Sequence, residues 1–425
     1  MDEGIGATPR AGDTADVVAR WAASGCMFLT GPPDSPGLGP PAPLVPGLAA
    51  LAERVERGAV AVGAVLRVDP LERLTERAGA LGLSRRGRTS CGGATRLLRT
   101  ADGWIALSLA RPDDVDLVPA WLESDGDGVA WDAIARSVSS RRGSELVRRG
   151  VLVGLPIAML PAAWGGERRP PAPPPFSGLA CHPTPVDGAA ARPRSVDDTV
   201  VVDLSSLWAG PLCGALLAEC GFRVVKVEST RRPDGARGGS PAFFDRMNAR
   251  KRSVALDLQT PAGTRALRRL LDHADVVIEA SRPRALAQLG IDPLRLVAHG
   301  PRVWVSITGH GYRGESGLRT GFGDDAAVAG GLVVWEGQDP YFCCDAVADP
   351  ISGLTAAAAT LTALVAGGRW HLDVAMSSVA AGMAGPTLPV PAGTSVAAPR
   401  APVASNPAPG LGADTRPVLD EIGHR

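Results

Sequence analysis

The sequence predicts an α/β protein: a parallel, doubly wound sheet in the second half and a smaller α+β block in the first. Three observations carry this. Short apolar runs alternate with helical patterns from residue 199 onward, as in TVVVDL (199–204), RVVKVE (223–228), SVALDL (253–258), DVVIEA (275–280) and RVWVSITG (302–309). Continuous apolar strands alternating with helices build parallel sheets covered on both faces. The first half carries amphipathic helical patterns and one hairpin signal instead. Between the halves, residues 161–195 are rich in Pro, Arg and Gly and read as a linker.

In chain order, residues 1–14 read as a frayed leader, and a helical pattern starts at Asp16. A Pro/Gly-rich loop (Pro32 to Pro46) precedes the helix GLAALAERVERGAV, and a second helix covers Asp69 to Leu81. The alternation in LLRTADGWIALSLA predicts a hairpin turning at Ala101-Asp102-Gly103. Asp113 to Leu122, Trp131 to Val138 and Ser144 to Gly150 read as short helices, and VLVGLPIAML as a strand. After the linker, LCGALLAECG and Pro261 to His273 are the helices between the first strands. Ala285 to Gly290 and Pro293 to His299 are helical, and WHLDVAM (370–376) is the last strand. The expected division is 1–160 as the small block, 161–195 as linker, 196–385 as the large domain and 386–425 as a Pro/Ala-rich tail ending in a short helix. The tail should be extended and mobile, and its closing helix is expected to dock back on the body.

Composition narrows the function. The 44 basic and 44 acidic residues cancel, so there is no electrostatic case for nucleic acid or an anionic membrane. The N-terminus lacks the basic-then-apolar form of a signal peptide. No apolar run reaches about 18 residues free of charge, so no membrane span is expected. Seven cysteines without a CxxC pair or a spaced His partner suggest neither a metal site nor a disulfide framework, but buried thiols in a reducing cytoplasm. The first strand is not followed by GxGxxG, so a dinucleotide cofactor is not expected.

The stretch CCDAVADPISGLTAAAATLTALVA (343–366) stands out. Pro350 suits a first helical turn, and Asp349 suits the N-cap before it. An N-cap carboxylate is one reading. A carboxylate nucleophile kept ionised by the helix dipole, with small neighbours leaving room for a thioester, is the other, and the two are compatible. Asp345 reads as structural. An internal echo accompanies this stretch: Gly25, Gly31 and Gly47 have the same spacing as Gly331, Gly337 and Gly353, in similar surroundings. The position that matches Asp349 in the first copy is Pro43.

VVDLSSLWAGPLCGALLAECGFRVVKVE (201–228), NARKRSVALDLQTPAG (248–263), DVVIEASRP (275–283) and VSITGHG (305–311) resemble the class III CoA-transferase family. This is the CaiB/BaiF type, with formyl-CoA transferase and 2-methylacyl-CoA racemase among its members. ADPISGL resembles the segment that carries the family's catalytic aspartate. GGATRLLRTADGWIALSLARPDD (92–114) and VLVGLP (151–156) resemble its small domain, here placed before the large one. With the glycine echo, that order suggests two truncated copies fused into one working unit.

The resemblance implies a Rossmann-like large domain that binds CoA, interlocked homodimers, and acyl-CoA and a carboxylic acid as substrates, with no cofactor besides CoA itself. By motif it places Leu207, Trp208, Lys251 and Arg282 beside the CoA and makes Asp349 the catalytic residue. The implied chemistry is attack of Asp349 on a thioester, through an anhydride and an aspartyl-CoA thioester, with backbone N–H groups near Ser352 and Gly353 receiving the oxyanions. A racemase needs two acid/base groups. Where racemases of the family have His, this chain has Phe322, so Asp324 or Asp325 would have to substitute; His310 reads as a loop histidine. A non-catalytic acyl-CoA-binding protein is the other alternative, motivated by the domain order.

Overall fold

The computed structural model describes residues 11–124, 130–162, 176–188, 195–404 and 406–423. The expectation for residues 1–10, and that for most of the linker, lie outside these. Three helices open the chain: α1 (Ala11–Ala23), α2 (Leu44–Ala61) and α3 (Pro70–Leu81). Asp69 caps α3, its carboxylate accepting from the N–H groups of Leu71 and Glu72. A hairpin follows, β1 (Thr95–Thr100) and β2 (Gly103–Ser108), turning at Ala101-Asp102.

Four short helices come next: α4 (Pro112–Asp116), α5 (Val118–Leu122), α6 (Trp131–Ser139) and α7 (Gly143–Val153). The expected single helix over 113–122 is therefore two, with Pro119 at the start of the second. The expected strand VLVGLPIAML is strand only in its second half. Residues Val151–Val153 finish α7, Gly154 stops it in the left-handed conformation (φ 88°), and only β3 (Ile157–Met159) is strand, antiparallel to β2. Val151 and Val153 are partly buried and Leu152 is exposed, so an apolar run at a helix end looks the same as a strand until its stop residue is weighed.

The second half is the expected sheet. β4 (His182–Pro185), β5 (Val200–Asp203), β6 (Arg223–Ser229), β7 (Arg252–Leu256), β8 (Val276–Glu279), β9 (Val303–Thr308) and a later strand, Trp370–Ala375, form seven strands. Between β9 and that last strand lies a small hairpin, β10 (Val333–Glu336) and β11 (Asp339–Phe342), which makes the last strand β12. The order is β4-β12-β9-β8-β5-β6-β7, parallel throughout except for β4 against β12. β4 lies inside the stretch read as linker. Phe176 is buried there too, its ring edge-on to Trp370 at 4.9 Å, so residues 176–188 belong to the body.

Helices α8 (Ala209–Glu219), α9 (Pro241–Asn248), α10 (Pro261–His273), α11 (Pro283–Gln288) and α12 (Pro293–His299) connect the strands. α13 (Gly323–Ala329) precedes β10, α14 (Ala348–Ala366) follows β11, α15 (Met376–Ala381) follows β12 and α16 (Thr415–Gly423) closes the chain. α14 is long and apolar enough to cross a membrane by length and composition, and 78% of that stretch is buried inside the molecule. It packs on α8 on one side and on α2 on the other. Gly353 makes the first contact possible, because a Cβ there would lie 2.6 Å from the Ala209 carbonyl oxygen.

One apolar core runs through both halves, from Trp21, Leu48 and Val55 to Leu212, Ile351 and Leu354. The first block therefore has no separate core for α1 to α3. Its hairpin and α4 to α7 do enclose one, around Ile105, Trp121 and Leu146. The tail is extended but tied down along its length. Ala42 donates to the Pro386 carbonyl, Leu388 to that of Pro40 and Ala397 to that of Ala22. Farther on, Ala408 N–H donates to Asp245 and Ser253 N–H to Asp414, and α16 lies against α10 and β7.

Candidate active site

β5 is followed in space by β6 on one side and by β8 on the other, so the direction of winding reverses between β5 and β8. Ligands of such sheets bind outside the carboxyl ends of the strands at that point. A cleft of about 350 Å³ lies there. Ser206 and Leu207 from the loop after β5 line it, with Ala280 to Pro283 after β8, Ile307 to Gly309 at the end of β9 and Met376 at the start of α15. Asp349 opens into the same cleft.

Asp349 is not the N-cap of α14. Val347 holds that position with no side-chain cap, and Asp349 lies in the first turn, its N–H donating to the Ala346 carbonyl. The helix-dipole expectation also gives way. Burial raises the Asp349 carboxyl to about 7, Arg77 opposes the rise, and Asp324, Asp345 and Asp325 add to it. Loss of solvation and three like charges outweigh a half-charge at a helix end. The turn that leads in is strained, with Cys344 (φ 55°) and Ala346 (φ 43°) both left-handed. Gly323, the first residue of α13, lets the carboxylate in, since a Cβ there would collide with Asp349 Oδ2 and the Ala346 carbonyl.

The surrounding acids are each held. Asp324 accepts from Ala346 N–H at 3.0 Å and from Thr95 Oγ1 at 3.3 Å. Asp325 accepts from Ser108 Oγ and from Phe322 N–H, both at 2.9 Å, and burial lifts it to about 7. Asp345 is fully buried against Arg77, whose Nη1 donates to both its oxygens at 3.0 Å. Thr95, Ser108 and Arg77 all belong to the first block, which therefore builds one wall of the site.

The cleft is rich in guanidinium groups: Arg111, Arg232, Arg282 and Arg319. Arg282 is pushed down by burial and by Arg284, Arg111 and Arg232. Neither Arg232 nor Arg282 has a carboxylate partner within ion-pair distance among the described residues. Arg111 is fixed by buried Asp114, which accepts from its Nε at 3.0 Å, and lies over the Phe322 ring at 5.6 Å.

Of the sequence-derived candidates, Asp349, Leu207 and Arg282 meet in this cleft. Leu207 is about half exposed and left-handed (φ 69°), held by its N–H on Asp234 at 3.0 Å. Such strain in an exposed apolar residue concentrates at functional sites. Trp208 and Lys251 are not brought in. Trp208 is buried edge-on to Phe243 at 5.3 Å. Lys251 is buried too, and its ammonium bonds Asp203 at 2.8 Å and the Pro211 carbonyl at 2.9 Å, which ties the end of β5 to the start of α8. A lysine so enclosed does not line the cleft.

The expected oxyanion donors move as well. Ser352 and Gly353 lie beyond the first turn of α14, where N–H groups belong to the helix ladder. The sequence reading passed over Arg77, Arg111, Arg232 and Arg319. The pair Arg111 and Asp114 at a helix start was the one local signal; the others lie far apart in the chain.

Residues 196–412 match the profile of CoA-transferase family III. The chain is 32% identical over 183 residues to the succinyl-CoA:D-citramalate CoA-transferase of Chloroflexus aurantiacus, covering 40% of this chain and 46% of that protein. It is also 32% identical over 157 residues to the human alpha-methylacyl-CoA racemase, covering 36% of this chain and 39% of that one. A solved CaiB/BaiF family protein from Brucella suis aligns at 32% identity with a TM-score of 0.41, over 45% of this chain and 55% of that one. The chain thus spans about half the length of the curated relatives it matches. It belongs to CoA-transferase family III.

Proposed function

We propose that the chain moves CoA from an acyl-CoA donor to a carboxylic acid acceptor, with Asp349 as the nucleophile. The observation that carries this reading is the opening of Asp349 into a cleft lined by four arginines, at the sheet's winding reversal. An acyl-CoA is a thioester joined to a polyanion. Arg232 and Arg282, free of carboxylates among the described residues, suit its phosphates. Leu207 offers an apolar surface beside them.

The chemistry then runs in balanced steps. The Asp349 carboxylate attacks the thioester carbonyl, and the tetrahedral adduct expels CoA as thiolate to leave a mixed anhydride of Asp349 and the donor acid. The thiolate attacks the aspartyl carbonyl and expels the donor acid as carboxylate, which leaves an aspartyl-CoA thioester. The acceptor carboxylate attacks that thioester and again releases the thiolate, which attacks the acceptor's acyl carbonyl and regenerates Asp349. Because the carboxyl is raised to about 7, the ionised nucleophile grows with pH up to about that value and then levels off.

The test is mass spectrometry of the intact protein and its peptides after incubation with a panel of acyl-CoAs, with hydroxylamine trapping. A modification on the Asp349 peptide, absent in Asp349→Ala, is the expected result. Binding of CoA without any adduct would instead favour a non-catalytic acyl-CoA-binding protein.

A racemase reading draws on one observation. His310 Nε2 and Asp325 Oδ2 are both buried without a hydrogen-bond partner among the described residues, and both lie against Gly321 on the cleft wall. Exchange of an acyl-CoA α-proton with solvent deuterium, lost on His310→Ala, would favour it.

A further inference from the structure

We infer that Arg77, on α3 of the first block, is a positioning residue that pins the turn before Asp349 and supplies the counter-charge of its carboxylate, so that the first half of the chain governs the nucleophile in the second. This rests on the proposed role of Asp349 and deepens it.

The geometry begins with the turn between β11 and α14. Asp345 stands between two left-handed residues, Cys344 and Ala346, neither of them glycine. L residues keep that conformation only where their surroundings hold it. Three tethers do so. Thr30 Oγ1 accepts from Cys344 N–H at 3.1 Å, Asp324 accepts from Ala346 N–H at 3.0 Å, and Arg77 grips both oxygens of Asp345. α14 opens at Ala348, and Asp349 is its next residue. The guanidinium is itself supported from below, where it lies over the buried Trp208 ring at 5.6 Å. Trp208 thus reaches the site through Arg77 rather than by lining the cleft.

The charges point the same way. Asp324 and Asp325 face Asp349 from α13, and Asp345 from its own turn. The cleft adds Arg111, Arg232, Arg282 and Arg319 on its far walls, while buried His310 is held neutral. Arg77 is the cation that acts in common on Asp324, Asp345 and Asp349. One guanidinium set among buried carboxyls lets at least one of them ionise near neutral pH.

The experiment reads the ionisation of Asp349 without any acyl-CoA. The protein is treated with a carbodiimide and an amine across pH, and labelling of the Asp349 peptide is followed by mass spectrometry against exposed carboxylates as internal reference. The native midpoint is expected near 7. Arg77→Met should raise it by about one unit or more, and Arg77→Lys should keep most of the native value. An unmoved midpoint in an Arg77→Met protein with native circular dichroism and melting overturns the inference. If that variant fails to fold, Asp345→Asn decides: with one like charge gone the midpoint should fall, and an unchanged or higher midpoint overturns it. Acyl-adduct formation is measured beside the labelling. A midpoint that moves as expected, in a native protein that forms no adduct, would sink the transferase reading and leave the control by Arg77 standing.

Discussion

The segment α1–α2 and the segment α13–β10–β11–α14 share a glycine spacing but differ in what joins their helices, a 3-10 turn (Met27–Leu29) in the first and a hairpin in the second, and in their chemistry. α1 ends two residues before Gly25, and α13 ends two residues before Gly331. Gly25 and Gly331 are both left-handed (φ 92° and 77°), as are Gly31 and Gly337 (φ 102° and 60°). Gly47 and Gly353 then lie inside the two long helices, which pack on each other. The glycine echo in the sequence thus falls on equivalent helix ends and left-handed turns. At the start of the long helix the copies part. Asp349 opens into the cleft, whereas Pro43 is covered by the tail, packed against Gly385, with Pro41 bridged to Thr387. The two long helices thus begin in different surroundings, one at a cleft and one under the tail.

The largest effect that tests this contrast is on reactivity. Asp349→Ala should lower adduct formation by more than about 10⁴-fold, with CoA affinity kept within a few-fold by equilibrium binding. Adding Pro43→Asp to that variant should restore nothing, because the tail covers the first helix start; an adduct at residue 43 would break the comparison. Next in size is ionisation. An acid raised in the folded state destabilises the fold once pH passes from its unfolded value to its folded one. Asp349→Asn should therefore stabilise the protein above pH 7 by up to about 4 kcal/mol, with the gain vanishing below about pH 4.

Packing comes third. Gly353→Ala forces a Cβ onto the Ala209 carbonyl and Leu212 and should cost about 1–3 kcal/mol in denaturant unfolding. The smallest effect belongs to the first copy. A Cβ at Gly47 meets only the Met383 side chain, at 3.6 Å, so Gly47→Ala should be neutral or stabilising by up to about 1 kcal/mol. Equal costs at Gly47 and Gly353 would mean that the two helices are not held differently.

The parallel sheet was legible because its strands are continuous apolar runs with turn chemistry between them, and that signal is local. Asp349, Leu207 and Arg282 were legible through motifs that lie at strand ends or at a helix start. Lys251 was misplaced because a motif names a residue but not its partner, and Asp203 claims this ammonium inside the core. Arg77 was illegible for a different reason. Its meaning depends on Asp345, far along the chain, and a lone arginine on an amphipathic helix carries no local sign of that. The state of Asp349 was misjudged because the helix end is visible in the sequence, while the acids around it are assembled only by the fold.

The strap over the first block also sets an order of events during synthesis. α2 is made well before α14, which completes its apolar face, and before Pro386 to Leu388, which seal its start. Closing contacts across most of a chain is slow, and surface that waits is exposed to wrong partners. The first helices must therefore stay unsatisfied until α14 and the tail are made. Until α14 and the tail appear, that apolar face lacks its partners within the chain, so the routing of the tail sets how long it waits.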